Sequence, residues 1–389
     1  MHERFSRTMA NRIHLNNAGA SLVSNQTLDV MISYLRLEQE IGGYEAAAQE
    51  HDRIEDFYST AAKLLKCQPD KIAFADSATR AWNTILFSMK LGEGDKIVTV
   101  STEFGSNVVS LQALSERTGA ELIVLDLDNH GKLDLQHLDD HIDERLKLVA
   151  LSHAPAQNGS VINAREIGKQ LEGSEAFYLL DACQSVGQFD VEVDDIGCDA
   201  LVGTGRKWLR GPRGTGFIYA NDRFATSLQS VSVDLANADW LASPESGSQV
   251  SFFKKAQRLQ TWERSLAGQL GLANAMFEYM SANAKGAITS AIQEFREMIA
   301  DAVSKNPKLV LYPGGNSESG VITFYSHEID AAELKKYYAD LNINVSTLSD
   351  WDAPWDFTNK GLPTLLRVSP HYINSNEDIE KFIRATEKI

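Results

Sequence analysis

From residue 24 to 66 the apolar side chains fall three or four positions apart, Leu28, Met31, Ile32 and Leu35, then Ile54, Phe57, Ala61 and Leu64. That spacing lays them along one face of a helix, and Gly42-Gly43 in the middle predicts two helices rather than one. Past residue 70 the rhythm changes. Short apolar runs at 72–74, 97–100, 122–125, 148–151, 177–180, 200–202 and 217–219 alternate with amphipathic stretches. Runs that short predict strands buried on both faces and joined by crossover helices. The expectation is an α/β large domain with a mostly parallel, wound sheet of about seven strands.

Residues 266–304 read as helix again, followed by strands near 308–312, 320–325 and 364–368 and helices near 330–340 and 375–388. This is the pattern of a smaller α+β domain. No repeat, low-complexity tract or Pro/Ser-rich linker separates the two parts. The expected organisation is an N-terminal segment (1–25) packing near the small domain, a large domain over 26–285 and a small C-terminal domain over 286–389.

Composition narrows the possible roles. With 37 Lys and Arg against 53 Asp and Glu, the net charge of −16 repels nucleic-acid phosphates and anionic lipid headgroups, so neither is expected as a partner. The first dozen residues mix charges without an apolar stretch, and no apolar run approaches the length of a membrane span, which predicts a cytoplasmic protein. The three cysteines, Cys67, Cys183 and Cys198, are odd in number and lack CxxC spacing. That argues against a disulfide framework and against a structural zinc site, so no metal is expected.

In open parallel sheets ligands sit beyond the carboxyl ends of the strands. Reactive residues stand there: Ser77-Ala78-Thr79 after the run at 72–74, His153 after 148–151, Asp181 after 177–180, and Thr204 and Lys207 after 200–202. A carboxylate at the end of a buried strand is costly without a positive partner, and a protonated pyridine nitrogen is one. An acid in that position keeps the ring an electron sink for the carbanion at an amino acid's α-carbon, as in pyridoxal-phosphate (PLP) enzymes. A helix cap or a salt bridge is the plainer role for Asp181. Lys207 lies in Thr204-Gly205-Arg206-Lys207-Trp208-Leu209-Arg210-Gly211-Pro212-Arg213-Gly214, where glycines and a proline suit a tight turn that presents cations to an anion. Neighbouring cations lower an amine's pKa, which Schiff-base chemistry requires.

Asp181-Ala182-Cys183-Gln184, Thr204-Gly205-Arg206-Lys207 and Gly214-Thr215-Gly216-Phe217 together resemble the class V aminotransferase family of fold-type I PLP enzymes. The resemblance runs from His14-Leu15-Asn16-Asn17-Ala18-Gly19-Ala20 to Leu366-Arg367-Val368-Ser369-Pro370-His371-Tyr372. It implies that Lys207 carries PLP as a Schiff base and moves the substrate's α-proton, and that Asp181 pairs with the pyridine nitrogen. Ser77, Ala78 and Thr79, with Thr204 and Arg206, would hold the phosphate, and Gln184 would bond the ring's phenolic oxygen. Phe104 falls where the family stacks an aromatic ring or a histidine; ordinary core packing is its alternative. Gln157 or Asn158 would replace an asparagine that helps hold the ring, and His153 is either functional or a core histidine. Arg367 would bind the substrate carboxylate, for which a guanidinium fork is suited. Asn17, Tyr44 and Arg264, on segments shared between subunits in such enzymes, would complete the substrate site, and Trp351 and Trp355 would line a pocket or pack a lid. A homodimer with shared sites is implied.

Within the family, Glu40-Ile41-Gly42-Gly43-Tyr44-Glu45-Ala46-Ala47, Arg206-Lys207-Trp208 with Gly211-Pro212-Arg213-Gly214, and Trp262-Glu263-Arg264 are similar to hercynylcysteine sulfoxide lyase and isopenicillin N epimerase-like proteins. The reaction this implies is β-elimination from a cysteine-derived amino acid or its sulfoxide, a carbon-sulfur lyase, with transamination or epimerisation as the alternative. Cysteine desulfurases of the family need a loop cysteine before the arginine matching Arg367. None occurs between Val345 and Arg367, which disfavours that activity.

Overall fold

The computed structural model describes residues 12–229, 233–241, 249–313 and 318–389. Residues 1–11 of the expected N-terminal segment lie outside the described residues. Seven strands form the central sheet: β1 (Ile72–Ala75), β2 (Lys96–Val100), β3 (Glu121–Leu125), β4 (Leu146–Ser152), β5 (Phe177–Asp181), β6 (Ala200–Thr204) and β7 (Gly216–Ala220). Their order is β1-β7-β6-β5-β4-β2-β3, and every pair is parallel except the two made by β7. The inner apolar runs are continuous because both faces are covered, while β3 at the edge is only partly buried: Leu180 points into one buried cluster with Phe74 and Leu201, its neighbour Leu179 into another with Ala73 and Val202.

At the N-terminal side, α1 (Asn25–Ile41), α2 (Gly43–Gln49) and α3 (His51–Leu65) replace the two expected helices. The break at Gly42 has φ of 99°, a conformation glycine adopts without strain, and a further break falls at Glu50, which the periodicity does not announce. Two crossover helices matter for the site, α4 (Ala78–Ser88) after β1 and α5 (Gly105–Thr118) after β2. The long α6 (Leu266–Ala282) packs Ala267 and Leu270 against Tyr34 of α1 and Ile54 of α3.

After α7 (Ala287–Lys305) a second sheet forms from β8 (Leu309–Tyr312), β9 (Ile322–Ser326), β10 (Ser346–Leu348) and β11 (Leu365–Val368), antiparallel in the order β8-β9-β11-β10. Its core joins Ile299 of α7, Phe324, Tyr338 of α8 (Ala331–Asp340) and Phe382 of α10 (Asn376–Thr386), α9 (Pro354–Lys360) lying between these two helices in the chain. The pattern gives no sign of β10, three residues of which two are polar. Near the N-terminus, Ile13–His14 pairs in parallel with Ile343–Asn344. Among the described residues no helix is long and apolar enough to cross a membrane.

Register sets the site. Ser152 lies beside Asp181, Asp181 beside Val202, Thr204 beside Gly216, and Gly216 beside Ala75. The carboxyl ends of β4, β5 and β6 and the turn from β1 into α4 therefore open on one edge of the sheet.

Candidate active site

Beyond those strand ends lies a cleft with a cavity volume of about 70 Å³ that opens to solvent. Ser77, Ala78, Thr79, Phe104, Asp181, Gln184, Thr204, Arg206 and Lys207 all line it. Asp181 is buried, with Asn107 Nδ2 donating to one carboxylate oxygen at 2.8 Å and the Cys183 backbone N–H to the other at 2.8 Å. Both partners are neutral, so they orient the charge without cancelling it. The Lys207 amine stands 5.8 Å from the centre of the Phe104 ring. Burial lowers its pKa, Arg206 and Arg367 add to this, and Cys183 and Asp181 oppose it. An amine with a lowered pKa is more often unprotonated and so available as nucleophile and base.

At the other side the first turn of α4 meets the end of β6. Ser77 caps α4, its Oγ accepting from the Arg80 N–H at 3.1 Å, and the first N–H groups of a helix lack intrahelical partners. With the Thr204 hydroxyl and Arg206, whose guanidinium donates to the Gly19 carbonyl, they form a cup for an anionic group. The Gln184 amide receives the Trp208 indole N–H on Oε1 at 2.8 Å and donates from Nε2 to the Ala18 carbonyl at 3.1 Å.

Arg367 comes from β11 of the second sheet. It is buried, donates from Nη1 to the Ala156 carbonyl at 3.3 Å, and its Nε has no partner among the described residues. Burial brings its pKa down to about 10, against the pull of Asp352 and with the push of Arg206. Ala156 lines the cleft, so the guanidinium sits at its margin as a cation short of acceptors.

Other expected residues stand elsewhere. Gln157 does not line the cleft: its amide donates to the Thr102 carbonyl at 3.2 Å and to the buried Asp356 carboxylate at 3.0 Å. Asn158 is committed to its own turn, accepting from Ser160 N–H and Oγ. His153 lines a different surface cavity with Lys132 and Arg165, and burial lowers its pKa to about 4. Asn17 is fully buried and spends its amide on the His14 and Ser369 carbonyls and the Ser21 hydroxyl, which ties the N-terminal segment to the residue after β11. Tyr44 is 82% exposed, and Arg264 bonds Gln269, Thr261 and Trp262, so neither reaches this chain's cleft. Trp351 is exposed and Trp355 half-buried, and neither lines the cleft.

Two residues were not anticipated. Glu103, fully buried, accepts from the Phe104 N–H, Asn107 Nδ2, and both the N–H and hydroxyl of Ser152. Burial first, and Asp181 next, push its pKa up to about 7. Asn107 thus bridges two buried carboxylates, Glu103 and Asp181. The strand-end rule that singles out Asp181 applies equally to Glu103, three residues past β2, and Asn107 follows it by one helical turn.

A carboxylate and a low-pKa amine, an aromatic ring beside the amine, and an anion cup suit PLP, which carries a ring nitrogen, an aldehyde and a phosphate. Comparison with known proteins agrees. A family model described as Aminotransferase class-V matches residues 13–382. A probable cysteine desulfurase of Methanothermobacter thermautotrophicus is 25% identical over 351 residues, 90% of this chain and 86% of the relative. A cysteine desulfurase of an Enterobacter species is 24% identical over 383 residues, 97% and 93% of the two chains. Among solved structures, apo cysteine desulfurase from Thermococcus onnurineus superposes with a TM-score of 0.88 at 22% identity, covering 97% of this chain and 94% of that one. The cystine C-S lyase C-DES, in complex with its product cysteine persulfide, gives 0.87 at 19% identity over 98% and 99%. A mutant of C-DES with glycine linked to its PLP cofactor gives 0.86 at 18% over 98% of each chain. These structural likenesses show the fold. The desulfurase relatives lend no support to setting that activity aside.

Proposed function

Since the chain belongs to the class V aminotransferase family and its cofactor is pyridoxal phosphate, we propose that it breaks the carbon–sulfur bond of a cysteine-derived amino acid by β-elimination. When bound, the cofactor supplies an electron-deficient ring that accepts the electron pair released at the substrate's α-carbon. Asp181 would keep a proton on the ring nitrogen, Phe104 would lie against the ring, and the start of α4, Thr204 and Arg206 would hold the phosphate. Arg367 would grip the substrate carboxylate with the N–H groups it leaves unpaired. The Lys207 amine takes the α-proton. The bond from β-carbon to sulfur then breaks, sulfur leaves with the electron pair and gains a proton, and the released three-carbon enamine reacts with water to give pyruvate and ammonia.

The observation that carries this reading is the state of the three thiols. A desulfurase that stores sulfur on itself needs a reactive thiolate. Burial raises the pKa of Cys67 to about 12 and also raises those of Cys183 and Cys198, both of which are buried. Cys183 does line the cleft, yet Asp181 beside it also disfavours its thiolate. The sulfur therefore departs in the small product. Incubating the PLP-loaded protein with cysteine, cystine, cysteine S-conjugates and their sulfoxides, with pyruvate and ammonia measured, tests this. Pyruvate without an added keto acid, undiminished by alkylating the protein, is expected. Alanine with a persulfide on the protein would make it a desulfurase, and dependence on a keto acid a transaminase.

The same reading takes the enzyme as a cytoplasmic homodimer. Three unpaired thiols suit a reducing compartment, and exposed Leu28, Leu35, Ile41 and Tyr44 on α1 and α2 offer apolar surface to a second subunit. Tyr44 and Arg264, away from their own cleft, are available to the partner's.

A further inference from the structure

The tryptophan that follows the lysine is placed to decide which end of the Gln184 amide faces the cleft. Trp208 is 1% exposed, so it touches no substrate. Its ring stacks on His371 with centroids 5.6 Å apart and planes 19° from parallel, and His371 Nε2 bonds the Trp208 backbone carbonyl at 2.9 Å. Gly187, with φ of 99°, passes so close that a Cβ there would lie 2.5 Å from the Trp208 carbonyl carbon, and one on Gly320 would lie 2.9 Å from the indole rim. The indole is thus locked in place, with its N–H 2.8 Å from Gln184 Oε1.

An indole N–H donates and never accepts, so the amide oxygen must face it. The amide nitrogen is turned the other way, where one of its hydrogens meets the Ala18 carbonyl at 3.1 Å and the second has no partner among the described residues, and Gln184 lines the cleft. We propose that Trp208 is a positioning residue that fixes the polarity of Gln184, so that the cleft is offered a donor and an anionic oxygen on the cofactor ring is favoured there. This rests on the PLP reading above. Such a donor draws charge from the ring's phenolic oxygen, so the proton shared between that oxygen and the Lys207 nitrogen is held less tightly.

Trp208→Phe keeps a six-membered aromatic ring beside His371 and removes the N–H together with the five-membered part of the indole. Without the N–H only the Ala18 carbonyl holds the amide, and the share that turns its oxygen to the cleft grows. The readouts are the PLP dissociation constant and the pH midpoint of the visible absorption band of the loaded protein. Affinity is expected to fall roughly three- to tenfold, and the midpoint to rise by about half to one pH unit, the worth of one net hydrogen bond. Gln184→Glu provides the second arm: it retains an acceptor for Trp208, gives up the donor to the Ala18 carbonyl and turns a second oxygen to the cleft, and a larger rise of the midpoint is expected. A Trp208→Phe protein that titrates like the wild type, or a Gln184→Glu protein with unchanged midpoint, overturns the assignment. If the loaded wild-type protein has no visible band, it is the PLP reading that fails.

Discussion

Replacing Arg367 by Met separates binding from stability with opposite signs. The guanidinium is buried with one long hydrogen bond at 3.3 Å and an Nε without a partner among the described residues. Burial takes its pKa from 12.5 to about 10. At 1.36 kcal/mol per unit this corresponds to a cost on the order of 3 kcal/mol for keeping the cation folded inside the protein. Met fills similar volume without charge, so the cofactor-loaded protein without substrate should lose nothing. At roughly one degree per kcal/mol for a chain of this size, its melting temperature should stay level or rise by about 1–3 °C. Substrate, in contrast, loses a bidentate charged contact, which raises KM on the order of ten- to a hundredfold, about 1.4–2.8 kcal/mol. Steady-state kinetics on the best cysteine conjugate, with differential scanning fluorimetry and PLP titration of the same samples, measure all three quantities. An unchanged KM, or a melting temperature lowered by several degrees with PLP affinity lost, would refute the claim that Arg367 waits as an unsatisfied cation for a substrate carboxylate.

Further outcomes follow from the same structure. Lys207→Ala should abolish the visible band of the covalently held cofactor, and a band that persists would transfer the anchor to another amine. Glu103, at about 7 in the fold against about 4.3 in the unfolded chain, takes up a proton on folding between those values. Its contribution to stability is therefore full below about pH 4.3 and fades as the pH rises through 7, so urea midpoints of the cofactor-free protein from pH 5 to 8 should fall less in Glu103→Gln than in the wild type. Gly168→Ala should cost roughly 1–3 kcal/mol, since the new Cβ would lie 1.9 Å from the Ile196 carbonyl oxygen, and the urea midpoint should fall with an unchanged slope.

The seven strands of the large sheet were legible because each is a short apolar run, and the inner ones are buried on both faces. The strand-end rule then located Asp181, Thr204 and Lys207, which register brings to one edge. Glu103 obeys the same rule yet escaped notice, because its partner Ser152 lies on a strand that meets it only in the fold. Gln157 shows the converse. It stands near the expected place in the chain, but the buried Asp356 draws its amide toward the second sheet and away from the cleft.

By itself, the order of residues determined the sheet, its strands, and an acid and an amine suited to one aromatic cofactor, since periodicity and strand-end chemistry are local properties. Only the tertiary structure decided which polar groups are left unsatisfied. Arg367 Nε has no partner among the described residues, Gln184 has its oxygen claimed by an indole, and the three thiols are kept protonated by burial. Hydrogen bonding and desolvation depend on what packs within a few ångströms, often from hundreds of residues away, and periodicity along the chain carries no record of those neighbours.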